Sequence, residues 1–98
     1  MHIAYRPGLR HSLDRAASGI AILAAMEPAD GERAAITEAR AQGWALSTGE
    51  LIPGATGVAA PLAGLDASIS AVWIELRDPA AAAVLVTHSA SVIASLLA

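Results

Sequence analysis

From Ser12 onward apolar side chains recur three or four residues apart, at Leu13, Ala16, Ala17, Ile20, Leu23 and Ala24, and this spacing predicts a helix that stops before Pro28. Gly19 lies inside that run at a cost of about 1 kcal/mol relative to Ala, which points to close backbone contact or a later helix start. A second helix is expected after Asp30 as its cap, with Ala35, Ile36 and Ala39 inward, Arg40 in the last turn and Gly43 as a left-handed stop. Trp44 is expected to fold back onto Ala39 as the hydrophobic contact that accompanies such a stop.

The period then falls to two. Trp44, Leu46 and Thr48 point one way, and Ala45 and Ser47 the other. Pro53-Gly54 ends that strand, a second runs from about Ala55 to Leu62, and a loop over Ala63 to Asp66 with Gly64 turns the chain into a third over Ala67 to Leu76. Neither face of the third strand is purely polar, so both can be covered. Asp78-Pro79 reads as a cap with proline at the first helical position, opening a final helix with Val86, Ala90, Ile93 and Leu97 on one stripe. His2 to Arg10 reads as a short strand or arm ending at Pro7-Gly8. The order β-α-α-β-β-β-α predicts an α+β fold, an antiparallel meander with helices packed on it.

Composition sharpens this picture. A chain of 98 residues, 55% hydrophobic, supports one domain over 1–98 whose core, lacking Phe, is built of small aliphatic side chains. No stretch reads as a membrane span or a signal peptide, and there are no cysteines, so disulfide frameworks and thiolate metal sites are closed. A cytoplasmic location and no membrane partner are the expectation. Six Arg and nine acids give a formal net charge of −3, with three of the Arg in residues 1–15, so no basic stripe exists to neutralise phosphates.

The chemistry on offer is sparse. No nucleophile elbow, zinc-protease helix or phosphate-binding loop is present, and His2, His11 and His88 share no metal spacing, so no enzyme, metal or cofactor is expected. His88 reads as a surface side chain. Two stretches are unusual. Glu75 shares a strand face with Trp73 in an otherwise interior segment, where a carboxylate must be paired, protonated or open to a pocket; the plain alternative is a strand end paired with Arg77 or Arg10. Gly49 to Gly57, with a proline and Glu50 among its glycines, could let backbone N–H groups approach a ligand, though most such segments are only turns.

Read together, HSLDRAASGIAILAA, ITEARAQGWALSTGELIPGATGVAAPL, ASISAVWIEL and the terminal helix resemble the effector-binding domain of the isocitrate-lyase-regulator (IclR) family of bacterial transcription factors. The resemblance covers residues 11 to 98 in order. Asp14 stands where the family often has His, Trp44 where it has Tyr, and the stretch between the two helices is shorter. The resemblance implies a six-stranded antiparallel sheet of the GAF or profilin-like type, cupped around a small metabolite or aromatic acid. It also implies a homodimer or homotetramer that reaches DNA only through a helix-turn-helix domain absent from these 98 residues, so that this is part of a longer regulator. Carried over by position, the pocket residues would be Ala17, Ser18 and Gly19 at the helix start, Ser47 and Glu50 beside the loop, Ala55 and Gly57 after it, and Trp73 and Glu75 on the third strand. N–H groups at a helix start suit a carboxylate, and a mostly apolar concavity selects the rest of a ligand.

Two functions are therefore expected to compete. One is a sensing domain for a small effector; the other is a self-association module whose pocket is vestigial or filled by Trp73, which an exposed apolar stripe on the last helix would favour. Either way the acidic balance predicts no sequence-specific DNA binding by these 98 residues. An electrophoretic shift assay with duplex DNA at micromolar protein is expected to show no retardation, and a salt-dependent shift would contradict that.

Overall fold

The computed structural model describes residues 15–49, 53–74 and 77–97. These form α1 (Ala17–Ala24), α2 (Ala34–Gln42), β1 (Ala45–Thr48), β2 (Ala55–Pro61), β3 (Ser68–Ile74) and α3 (Pro79–Leu97). The three strands pair antiparallel in the order β1-β2-β3, an α+β meander as the sequence predicts. The first predicted strand, His2 to Arg10, lies outside the described residues. Of the six strands implied by the resemblance, three are present among the described residues.

The pleat of β2 organises everything else. Its residues are buried on both faces, and alternation sends Ala55, Gly57 and Ala59 to one side and Thr56, Val58 and Ala60 to the other. On the first side Ala59 and Ala45 pack with Ala17, Ile20, Ala21 and Ala24 of α1 and with Ile36 and Ala39 of α2. On the second, Val58, Ala60 and Leu62 pack with Ala82, Ala83, Val86 and Ala90 of α3. The result is three layers, two short helices over one face and one long helix over the other. Ile20 and Val58 are completely buried, each contributing on the order of 1.5–3 kcal/mol.

Local signals explain most element ends. Gly43 closes α2 with φ 89°, its N–H donating to the Ala39 carbonyl at 2.8 Å. Asp78 caps α3 by accepting the Ala81 N–H at 3.1 Å, with Pro79 first in the helix. Gly64, at φ 77°, turns β2 into β3.

Four expectations need correction. α1 takes in Ala17 onward with Ala16 as an extended N-cap, so Ala16 is not part of the buried helical stripe. Asp30 does not cap α2: the chain turns at Gly31, with φ 73°, and the helix begins at Ala34 after Arg33. Trp44 does not return to Ala39; it precedes Ala45 in the pleat, points to the opposite face and packs with the α3 cluster. Leu97 is exposed rather than part of the buried stripe of α3.

The α2 start has a physical cause. Arg40 pairs with Glu32 through both guanidinium nitrogens, Nη2 reaching Oε2 at 3.1 Å, and the same Nη2 donates to the carbonyls of Leu23 and Met26 at 3.3 Å each. The cation thus adds a donor to the Leu23 and Met26 carbonyls at the end of α1 and ties α1 to α2. Thr37 Oγ1 also donates to Glu32, at 2.9 Å. With these partners Glu32 is held just ahead of the helix.

The hydrogen bond from Arg40 lowers the Glu32 carboxyl pKa to about 2, against its partial desolvation, with Thr37 assisting. A depressed carboxyl contributes stability that is present above the unfolded-state value of 4.5 and is lost as pH falls toward 2. The melting temperature is therefore expected to fall between about pH 4.5 and pH 2, and Glu32→Gln to flatten that part of the profile while lowering stability at neutral pH. A Glu32→Gln profile parallel to that of the native chain would contradict the clasp.

Candidate functional site

Seven of the nine sequence-predicted site residues are described. Glu50 and Glu75 lie outside the described residues. Strand register places Ser47 opposite Gly57 and Gly57 opposite Val72, one row across the sheet on the α1 face, and Ala55 opposite Ile74 in the next row. The start of α1 lies on this row: a Cβ added at Gly57 would stand 3.3 Å from the Ala17 Cβ. Ser68 Oγ donates to the Ser18 carbonyl at 2.9 Å, fixing the same turn of α1 to β3. Ala17 thus touches Gly57 on the Ser47–Val72 row, with Ala55 in the next row, where the Gly49 N–H donates to the Ala55 carbonyl at 2.9 Å, whereas Ser18 is tied to Ser68, which pairs with Pro61 at the other end of β3.

Trp73 is separated from them. It pairs with Thr56, which puts it on the opposite face, half-buried against the α3 cluster. It fills space under α3 instead of lining the α1 face. The sequence could not decide this, because β3 carries apolar residues on both faces and a shift of one residue exchanges them.

Gly57 has a packing role that is plain from the geometry. A Cβ at Gly57 would crowd Ala17, so one of the two would have to give by a few tenths of an ångström, and the contact leaves no room for a ligand between Ala17 and Gly57 themselves. A ligand would have to sit beside this contact, toward Ser47 and Ala55. The electrostatics there favour an anion: among the described residues no side chain caps the first-turn N–H groups of α1, and its first turn holds no acidic residue. No group of three metal-ligating side chains occurs among the described residues.

A concavity missed in the sequence lies between the end of β2 and α3. It is a shallow groove of about 280 Å³ whose walls include Gly43, Pro61, Ala63, Thr87, Ser91 and Ala94, and it contains none of the nine residues. Thr87 Oγ1 donates back into its own helix, to the Ala83 carbonyl at 2.7 Å, so the groove offers little polar chemistry. Only the small residues of the alternating Ala stripe foreshadow it.

The packing argument is testable by a double-mutant cycle. Gly57→Val is expected to destabilise the fold by about 1–3 kcal/mol through overpacking against α1, and Ala17→Gly in the same chain to recover part of that loss in denaturant titrations. Strictly additive effects would contradict direct contact.

The sequence matches no protein-family model and no curated protein, so comparison rests on three-dimensional structure. The chain is similar to the Agobacterium tumefaciens repressor BlcR, with TM-score 0.76 and 17% identity over 93% of this chain and 49% of that one. It is also similar to an IclR transcriptional regulator from Silicibacter sp. TM1040, with TM-score 0.70 and 18% identity over 95% of this chain and 48% of that one. A transcriptional regulator from Rhodococcus sp. RHA1 gives TM-score 0.65 and 21% identity over 97% and 49%. The chain spans about half the length of each. Its three helices and antiparallel sheet thus have the fold found in about half of these transcriptional regulators, one of them an IclR regulator, as the sequence resemblance implies.

Proposed function

We propose that this chain is part of a small-molecule effector-sensing domain of an IclR-type regulator, acting on DNA through a helix-turn-helix domain outside these 98 residues. The observation that carries the reading is the α1 start: a helix N-terminus with no side-chain cap among the described residues, whose Ala17 lies against Gly57 on the Ser47-Gly57-Val72 row. Its N–H groups and positive dipole end suit a carboxylate, and the surrounding Ala and Gly positions suit a compact apolar body. The effector class that fits is a small organic or aromatic acid. The fold shared with transcriptional regulators supports the same reading and favours no catalytic role. Binding would shift the affinity of the whole regulator for DNA by linkage.

A second reading is favoured by a different observation. α3 leaves Val84, Leu85, Val92, Leu96 and Leu97 exposed, so the chain also has the surface of a self-association module. The two roles are compatible, since they use opposite faces of the sheet.

A thermal-shift screen of the purified chain against small organic and aromatic acids tests the sensing role, with Ser18→Trp obstructing the α1 start. A compound at 100 times its dissociation constant adds about 2.7 kcal/mol, several degrees for a domain this small. The expected result is a shift in the native chain and none in the variant; equal shifts in both, or none with any acid, would contradict the reading.

A further inference from the structure

The described Asp residues, Asp30, Asp66 and Asp78, stand in different backbone settings. Asp78 is followed by Pro79, which has no N–H, and its carboxylate is held by the Ala81 N–H at 3.1 Å. Asp66 is followed by Ala67, which packs against the α3 cluster and whose carbonyl accepts the Leu62 N–H at 2.9 Å. Asp30 is followed by Gly31, and both are exposed within residues 25–31, a run with no buried position.

An Asp carboxyl closes on the next backbone nitrogen most readily when that nitrogen carries an unbonded N–H, the peptide plane between them can rotate, and nothing crowds the imide ring that forms. Asp30 meets each condition. The turn there is closed by the Glu32 N–H donating to the Ala29 carbonyl at 3.4 Å, a bond that spans Asp30 and Gly31 and leaves the Gly31 N–H out. Among the described residues no group hydrogen-bonds the Gly31 N–H or the Asp30 carboxylate. Rotating the Asp30–Gly31 peptide changes the φ of Gly31, which is 73°, and glycine takes either sign of φ without a Cβ clash. A Cβ built on Gly31 would meet nothing within 4 Å, so the space around the turn is open.

We propose that Asp30–Gly31 is a site of spontaneous backbone isomerisation, placed directly before the carboxylate of the Glu32 to Arg40 clasp. The Gly31 nitrogen attacks Cγ of the Asp30 carboxylic acid; the N–Cγ bond forms, the Cγ–OH bond breaks, and the hydroxyl leaves as water with the proton of the nitrogen. Water then opens the resulting succinimide. Cleavage of the bond from nitrogen to Cγ restores aspartate, and cleavage of the bond from nitrogen to the α-carbonyl carbon gives isoaspartate, whose main chain runs through Cβ and Cγ. Water is lost and regained, and nothing is oxidised or reduced. The longer main chain between Ala29 and Glu32 disturbs both the turn bond and the placement of Glu32 against Arg40. The turn is thereby a slow covalent clock on the contact that ties α1 to α2, independent of the sensing and self-association readings.

Peptide mapping of the folded chain after several weeks in warm, mildly acidic buffer tests this. The chain has no Asn, so isoaspartate arises only from Asp, and cleavage after Arg15, Arg33 and Arg77 puts Asp30, Asp66 and Asp78 on separate peptides. The Asp30 peptide is expected to split into two chromatographic species of equal mass, the new one resistant to an endoproteinase that cuts before Asp, while the Asp66 and Asp78 peptides stay single. Asp30→Glu, which keeps the charge but needs a larger ring, is expected to lose the new species. The isoaspartyl chain, separated from the unmodified one, is expected to melt at a lower temperature at neutral pH. Absence of isoaspartate at Asp30 in the folded chain, its formation only in urea, or equal formation at Asp66 overturns the proposal. An isoaspartyl chain that melts together with the native one overturns the link to the clasp.

Discussion

β2 has no solvent face. Gly57 and Ala59 look toward α1 while Val58 and Ala60 look toward α3, so a single seven-residue strand has to be covered twice. That requirement fixes the layer order and decides where each neighbour points. With Ala and Gly on one side, the helices can approach closely, and the covering residues on α1 are Ala17, Ile20, Ala21 and Ala24. A core of such small side chains gains its stability from close approach and contact density, not from large individual contributions. The Arg40 to Glu32 clasp belongs to the same layer, since it holds α2 against the end of α1 while leaving the α1 start uncapped at the far end.

Function follows from the two faces differing in kind. The α1 face carries a helix N-terminus and Ser47, the features on which the proposed sensing role rests. Among the described residues α3 and the strand positions packed beneath it carry no Asp, Glu, Lys or Arg, with Trp73 and Trp44 under the helix and apolar side chains exposed outside it. The two proposed roles, sensing and association, would thus fall on different layers, with β2 common to both.

Much of this was legible in the residues. Gly43 and Asp78-Pro79 mark helix ends because their preferences are local: a left-handed residue and an N-cap need no tertiary partner to be favoured. Ile36 and Ala39 as the inner face of α2 follow from period alone. What failed was long-range or depended on parity. Asp30 looks like a cap, but the ion pair between Glu32 and Arg40, eight residues apart, moves the helix start. Trp73 looks like a pocket residue, but its pairing with Thr56 instead of Gly57 turns it toward α3, and nothing in SISAVWI states that parity, since both faces are apolar. The groove beside α3 was invisible for the same reason, its walls being small residues contributed from three separate elements.

The central claim, that an anionic effector sits at the α1 start and not elsewhere on the sheet, is tested most directly by a backbone amide NMR titration of the native chain with the organic acid that stabilises it most. The expected result is saturable shifts at Ser18, Gly19, Ser47 and Gly57, with Ala90 and Ser91 on α3 unmoved. Saturable shifts centred on Thr87, Ala90 and Ser91 would place binding in the α3 groove and contradict the claim.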